Sequence, residues 1–331
     1  MKSEKRVFAT RLPITIIGGF LGVGKTTLVN NILVQANGSR FVVFVNDFGA
    51  IDIDHDLIET VAEDRVSLKN GCVCCSLNND LVGKVSEFAH SDDPPDAIFI
   101  EVSGVADSRS LSTSFDALEA AGLARLDARV YVMDADNFHH RSFEDAEQII
   151  DQAVSSDLVL LNKTDLADSK WLNELENTLS ESAPYSKILH TAYCDVPLDL
   201  IVNVSESSTG AVTERILEKS VQGHNHGERY QQWSYETNQS IDRRRFEEFV
   251  KQLPDHCLRA KGLLHFTDEP GQVYQFNFVG YRASLDKPAK NQLLKHCRIV
   301  AVGYRSTLQV SFLNEIFEET LCHAEKNDYS K

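Results

Sequence analysis

From Ile14 to Thr191 the chain alternates short, largely apolar runs with longer stretches whose apolar residues recur every third or fourth position. The runs cover residues 14–17, 41–45, 97–100, 128–133, 158–161 and 187–191. A run that short and that apolar reads as a strand buried on both faces. Helical patterns fill the gaps at 27–35, 78–90, 143–154 and 170–179; in the second of these Leu81, Val85 and Phe88 share one side. Residues 65–68 suggest a further short strand. Strands alternating with helices imply right-handed crossovers, hence a mostly parallel, doubly wound sheet covered on both faces. Beyond Val204 the grammar changes. Ser, Thr, Gly and charged residues dominate 205–227, which reads as a linker with one helical turn at 214–219. Then come a strand at 232–237, an amphipathic helix at 242–253, strands at 259–266, 273–281 and 298–304, and a last helix at 308–321. That order predicts a smaller α+β domain. The expected division is an α/β domain over 1–204, a linker over 205–229 and the α+β domain over 230–331.

A length of 331 residues is enough for two such cores. The acidic balance, 49 Asp and Glu against 33 Lys and Arg, argues against a nucleic-acid partner, which needs a positive surface. Neither a secretory apolar run near Met1 nor a membrane-length apolar stretch appears, so the expectation is a cytoplasmic protein with no membrane partner. Of seven cysteines, three crowd into Cys72–Cys75, a distribution unlike a secreted disulfide framework and suited to metal or thiol chemistry in a reducing compartment.

The first element with chemistry is Gly19-Phe20-Leu21-Gly22-Val23-Gly24-Lys25-Thr26, which fits G-x-x-x-x-G-K-T, a phosphate-binding loop. It stands between an expected strand and an expected helix, as the motif requires. Gly19, Gly22 and Gly24 let the backbone curl so that N–H groups, Val23 among them, face phosphate oxygens. Lys25 supplies a point charge, Thr26 a hydroxyl for Mg²⁺, and Thr27 opens the helix whose dipole faces the anion. This fold class is a P-loop NTPase. Asn162-Lys163-Thr164-Asp165, at the end of another strand, fits N-K-x-D. Asp165 is able to accept from guanine N1–H and its 2-amino group, which adenine lacks, so GTP is expected over ATP.

Glu101 ends a buried strand, where a second carboxylate would hold Mg²⁺ through water, and Gly104 just beyond permits close approach to the γ-phosphate. Asp47 also ends a strand and could orient Mg²⁺ or the attacking water; Lys25, Glu101 and Asp47 are the catalytic candidates. Asp134 and Asp136 read as caps of the next segment. In Cys72-Val73-Cys74-Cys75, an extended backbone puts Cys72 and Cys74 on one side, and Cys75 joins them only if the chain turns there. Such thiolates suit Zn²⁺ or another divalent ion in an incomplete site fit for transfer; inert buried cysteines and a redox pair are the competing readings. His224 and His226 lie in the linker, and whether they bind metal stays open. Cys194, Cys257, Cys297 and Cys322 read as core or surface residues.

Taken together, these residues resemble the CobW-type GTPases. The resemblance rests on Gly18–Leu28 (GGFLGVGKTTL), Asn46–Asp54 (NDFGAIDID), Gly71–Cys75 (GCVCC), Glu101–Asp107 (EVSGVAD) and Asn162–Asp165, in family order, with Leu258–Gly262 (LRAKG) in the second domain. It implies a GTPase coupled to metal insertion, with Zn²⁺ or Co²⁺ held at Cys72, Cys74 and Cys75 and handed to a client metalloprotein. Two departures stand out: Asp47 replaces the family's usual Glu, and only His224 and His226 stand where many members carry a long His-rich tract. The expected mechanism is a nucleotide-gated carrier, GTP tightening the thiol site and hydrolysis loosening it, with slow intrinsic turnover because no arginine finger is evident. The second domain would recognise the client or a second subunit, which leaves a homodimer open. Rival readings are a GTP-dependent activator that carries no metal, a thiol metal sensor, and an ATP-dependent small-molecule kinase.

Overall fold

The computed structural model describes residues 11–36, 38–45, 58–62, 65–68, 73–76, 81–102, 108–202, 229–287 and 296–321. Two compact units divide the chain, residues 1–222 and 223–331.

In the N-terminal unit the apolar runs become strands β1 (Leu12–Gly19), β2 (Phe41–Val45), β6 (Ala97–Glu101), β7 (Ala124–Asp134), β8 (Leu158–Asn162) and β9 (Lys187–His190). With β3 (Ile58–Ala62), β4 (Arg65–Leu68) and β5 (Val73–Ser76) they form one sheet in the order β3-β4-β5-β2-β6-β1-β7-β8-β9. From β5 to β9 every pairing is parallel, and only the β3–β4 and β4–β5 pairings are antiparallel. Helices α1 (Lys25–Val34), α2 (Leu81–His90), α3 (Ser108–Ala120), α4 (Phe143–Val154) and α5 (Ser169–Ser182) connect the strands, and the short α6 (Leu198–Ile201) follows β9. One apolar cluster joins Val42, Phe44 and Ile100 to Leu81, Val85, Phe115 and Leu118. Another joins Tyr131, Met133 and Leu161 to Ile149, Ala153, Leu175 and Leu179. The expected doubly wound sheet is what forms. Because β1 lies between β6 and β7, the loops that leave the carboxyl ends of these strands converge on one crevice.

Several elements escaped the pattern. Strand β7 starts at Ala124 because Arg125 and Asp127, which look like loop residues, bury as an ion pair 3.0 Å apart. Helix α3 is rich in Ser and Thr, poor helix formers, yet it packs Phe115 and Leu118 into the core. Residues 73–76 are strand, pairing with β2 (Val43 with Cys74, Phe44 with Cys75).

The C-terminal unit is an antiparallel sheet, β10 (Tyr230–Thr237), β14 (Cys297–Tyr304), β11 (Arg259–His265), β12 (Val273–Val279) and β13 (Arg282–Asp286) in that spatial order. Helices α7 (Arg243–Gln252) and α8 (Val310–Glu318) contribute Phe246, Phe249, Leu313 and Phe317 to its core. The α+β class is as expected. The run at 273–281 divides where the chain turns at Gly280, φ 61°, into β13, a polar edge strand with no fully buried residue. Among the described residues no helix is long and apolar enough to cross a membrane.

Candidate nucleotide site

Strand β1 ends at Gly19 and α1 begins at Lys25, so the curled segment between them lies at the crevice. Two of its glycines are compulsory. A β-carbon on Gly19, φ 148°, would stand 2.5 Å from the Val132 carbonyl oxygen. On Gly24, φ 113°, it would stand 2.5 Å from Asn162 Nδ2 and 3.0 Å from Cys194 Sγ. Backbone conformation and lack of space make the same demand.

Lys25 is buried, and its Nζ donates to the Phe20 carbonyl oxygen at 3.0 Å. Burial lowers its pKa, an effect the charge of Glu101 partly opposes. Glu101 ends β6 beside Ile17 of β1 and is also buried; burial raises its pKa, with Lys25 pulling the other way. Both charges are therefore held in an environment that favours their neutral forms. A phosphate beside Lys25 and a cation beside Glu101 would each supply the missing counter-charge, so the pair fits a nucleotide carrying Mg²⁺. Thr26, half-buried in the first turn of α1, fits the hydroxyl ligand; Thr27 beside it is exposed.

Asn162 ends β8 and works as a staple. Its Nδ2 donates to the Val23 carbonyl oxygen at 2.8 Å, and its Oδ1 accepts the Cys194 N–H at 2.9 Å. Lys163 takes a left-handed backbone, φ 61°, and its Nζ pairs with Asp134 Oδ2 at 2.7 Å. Thr164 donates through N–H and Oγ1 to the Thr191 carbonyl oxygen, at 3.3 and 3.1 Å. Asp165 is exposed, its carboxylate at the surface of this corner.

Part of this constellation had no signal in the sequence. Asp134 does cap, accepting the N–H groups of Asp136 and Asn137 at 3.1 Å each, but it also binds Lys163. Burial pushes its pKa up, and the Lys163 and Asn137 hydrogen bonds outweigh that and hold it below the ordinary aspartate value. The part played by the loop after β9 has no local motif to mark it. Asn31 of α1 donates to the carbonyl oxygens of Tyr193 (2.9 Å) and Cys194 (3.1 Å), and Gln35 one turn on donates to that of Val196 at 3.1 Å. Two amides four residues apart on one helix face were the available hint. Cys194 is more than a core residue: its thiol, kept protonated by burial with a pKa pushed up to about 12, donates to the Gly24 carbonyl oxygen at 3.2 Å. Arg141 lays its guanidinium over the Phe20 ring, 4.7 Å from the centroid.

Cys74 and Cys75 lie in β5. The turn that would bring Cys75 to the other thiols is not made: residues 73–76 run as continuous strand, and the Cys75 side chain is buried among Val42, Phe44 and Val73. Asp47, Cys72, Gly104, His224, His226 and Cys322 lie outside the described residues. Among the described residues no group of three or more His, Cys, Asp or Glu is placed to hold a metal ion. Cys257 and Cys297 are buried in the C-terminal core.

Residues 13–190 match the family model described as CobW/HypB/UreG, nucleotide-binding domain, and residues 230–321 match the cobW C-terminal domain. Among curated proteins the chain is similar to a protein from a Sinorhizobium species named zinc chaperone CobW, 26% identical over 84% of this chain and 87% of that one. It is similar to Escherichia coli zinc chaperone YjiA, 28% identical over 88% of this chain and 94% of that one. The zinc-regulated GTPase metalloprotein activator 1 of Schizosaccharomyces pombe is 33% identical over 55% of this chain and 46% of its own length. With the glycine-rich loop, the buried Lys25–Glu101 pair and the Asn162–Asp165 corner converging on one crevice, the chain belongs to the CobW/HypB/UreG family of P-loop GTPases and carries a cobW-type C-terminal domain.

Proposed function

We propose that this protein is a GTP-hydrolysing metallochaperone that holds a divalent ion, Zn²⁺ or Co²⁺, at thiolates of the Cys72–Cys75 segment and releases it to a client when GTP is hydrolysed. One observation carries the reading. Strand β5, which bears Cys74, pairs in parallel with β2, and β2 pairs with β6, whose end is Glu101. The cysteine segment is thus two strands from the catalytic carboxylate in a continuous sheet. Similarity over most of the chain to proteins named zinc chaperones supports zinc as the cargo. With Cys75 in the core, Cys72 and Cys74 are the proposed thiolate pair, completed by water or a client side chain.

Within the nucleotide site Lys25 would leave the Phe20 carbonyl for phosphate oxygens, with Gly19, Gly22, Val23, Gly24, Thr26 and Thr27 forming the cradle. Thr26 and Glu101 would hold Mg²⁺, which supplies charge neutralisation of the transferring phosphoryl group. Gly104 and Asp47 are proposed to face the γ-phosphate and the attacking water. Asp165 reads guanine while Asn162 and Lys163 hold its loop in place. Residues 1–204 form the GTPase domain and 230–331 the client-recognising domain, joined by 205–229; the family matches at 13–190 and 230–321 support that division.

Linkage makes the gating measurable: if GTP tightens metal binding, metal tightens GTP binding by the same factor. Zinc titration against a competing chelator, with a non-hydrolysable GTP analogue and then with GDP, should show weaker binding in the GDP state. Equal affinities would sink the gate. The second reading, a GTP-dependent activator that carries no ion, draws on the burial of Cys75, which removes one thiol from the set. It requires that replacing Cys72 and Cys74 by Ala leaves client activation intact.

A further inference from the structure

At the rim of the nucleotide crevice stands a residue whose left-handed backbone is matched by no burial of its own side chain. Tyr193 adopts φ 54° and Cys194 beside it φ 52°, the left-handed region that crowds a β-carbon. Outside glycine such dihedrals persist only where neighbours over-determine them, and strain of this kind gathers at ligand sites. The neighbours here are specific. Asn31 grips both carbonyls, at 2.9 and 3.1 Å, and Asn162 Oδ1 takes the Cys194 N–H at 2.9 Å. Cys194 gains burial, being fully enclosed, and a thiol contact with Gly24. Tyr193 gains neither: it is 74% exposed. Glycine would take the same dihedrals without strain, so the ring is the part of this residue that its backbone cost supports.

Its placement says what the ring is for. Thr164 and Thr191 share hydrogen bonds, and Cys194 is bonded to Asn162, so the Tyr193 loop and the Asp165 loop lie side by side. Both are tied to the phosphate loop, through Asn162 to Val23 and through Cys194 to Gly24. A flat, exposed aromatic ring on a backbone held beside the loop of the proposed guanine-reading carboxylate has the right form to stack on a purine face.

We infer that Tyr193 is a base-stacking residue, forming one wall of the purine slot whose hydrogen-bonding edge Asp165 reads. The inference rests on the GTP reading of this site and adds a second contact of different character. Stacking is tolerant of base identity, because every base has a π-face. Tyr193 therefore contributes affinity for purine nucleotides in general, and Asp165 contributes the choice of guanine. A contact with the base alone does not depend on the γ-phosphate, so GTP and GDP gain equally.

Equilibrium binding of GTP, GDP and inorganic tripolyphosphate to full-length Tyr193→Phe, Tyr193→Ala and Tyr193→Gly proteins tests this. Phe should bind as wild type does. Ala and Gly should weaken GTP and GDP by the same factor, about tenfold on the scale of base–aromatic stacking, and leave tripolyphosphate unchanged. The nucleotide-free Gly variant should melt at a higher temperature than wild type, since strain is relieved, so stability and affinity move in opposite directions. In Tyr193→Trp, GTP should quench the new fluorescence and tripolyphosphate should not. Wild-type affinity for GTP in Ala and Gly overturns the inference, as does an equal loss of tripolyphosphate binding, which would mark a collapsed loop. If wild-type protein binds ATP as tightly as GTP, the guanine reading fails alone, and the same series run on ATP still decides the stacking.

Discussion

Buried residues of the N-terminal unit include Lys25, Glu101, Asp134 and Asn162, all at the carboxyl ends of parallel strands or at the start of α1. In the C-terminal unit the largest buried side chains are Trp233, Phe246, Phe249, Phe266, Phe276, Phe278 and Phe317. They pack in aromatic pairs such as Phe246 with Phe276, centroids 5.0 Å apart at 83°, and Trp233 with Phe317, 5.6 Å apart at 73°. Backbone strain divides the same way: among the described residues every non-glycine with positive φ, Lys163, Tyr193 and Cys194, belongs to the nucleotide corner. Buried charge and backbone strain gather at the nucleotide corner, whereas the C-terminal core is built from aromatic packing. Mutations should therefore separate the two: in the C-terminal core they should cost folding, and at the crevice they should cost chemistry.

The largest effect is expected from Phe246→Ala. Phe246 is fully enclosed by aromatic neighbours, and its truncation leaves a cavity the sheet cannot close, worth about 3–5 kcal/mol. Denaturant unfolding should show that loss, while GTP affinity measured below the transition stays at the wild-type value. A fall in GTP affinity would show that the aromatic core serves the nucleotide site.

Lys25→Ala is the reverse experiment. Removing the cation proposed to meet the phosphates should lower GTP turnover by roughly 10²–10³-fold, as for loss of one preorganised electrostatic contact. The nucleotide-free protein should be as stable as wild type or more so, because burial already disfavours the Lys25 charge. Stability falling in step with turnover would mean that Lys25 is structural.

That division was only partly readable in the sequence. The strands showed because buried parallel strands are apolar throughout, as at Phe41–Val45, where all five residues are buried. The phosphate loop showed because its chemistry is local. What stayed hidden depends on partners distant in sequence. Arg125 and Asp127 conceal the start of β7 by neutralising each other. Asp134 looks like a simple cap, since nothing near it announces Lys163 across 29 positions. The left-handed Tyr193 and Cys194 carry no glycine or asparagine to advertise them, because Asn31, from the opposite end of the unit's sequence, imposes the conformation. Cys75 was readable as one of a cluster, but strand register, not proximity in sequence, puts its side chain in the core.

A smaller effect is expected from Asp165→Asn. The amide keeps one acceptor and turns the other toward guanine as a donor, so one guanine N–H loses its acceptor. Preference for GTP over ATP should shrink by about 1–3 kcal/mol, or roughly 5- to 150-fold. Competition between the two nucleotides measures it directly. Unchanged preference would place guanine reading elsewhere and leave Asp165 a surface carboxylate.

The smallest effect, and the most diagnostic in its pH dependence, is expected from Asp134→Asn. The variant keeps an acceptor for the Asp136 and Asn137 N–H groups but loses the ion pair with Lys163. Because the wild-type carboxyl is held below its ordinary value of 3.8, the unfolded chain binds more protons than the folded one as pH approaches that value. The stabilisation is thus complete above the unfolded value and disappears as pH falls through the folded one. Urea midpoints of wild type and variant should differ at neutral pH and converge in acid below the ordinary carboxylate range. Added salt should narrow the neutral-pH gap only slightly, since Asp134 is 6% and Lys163 30% exposed at the side chain. A gap that persisted unchanged into acid would mean that the carboxylate's charge is not what steadies the left-handed Lys163. The strain of the nucleotide corner would then be borne by Asn162 and Asn31 alone.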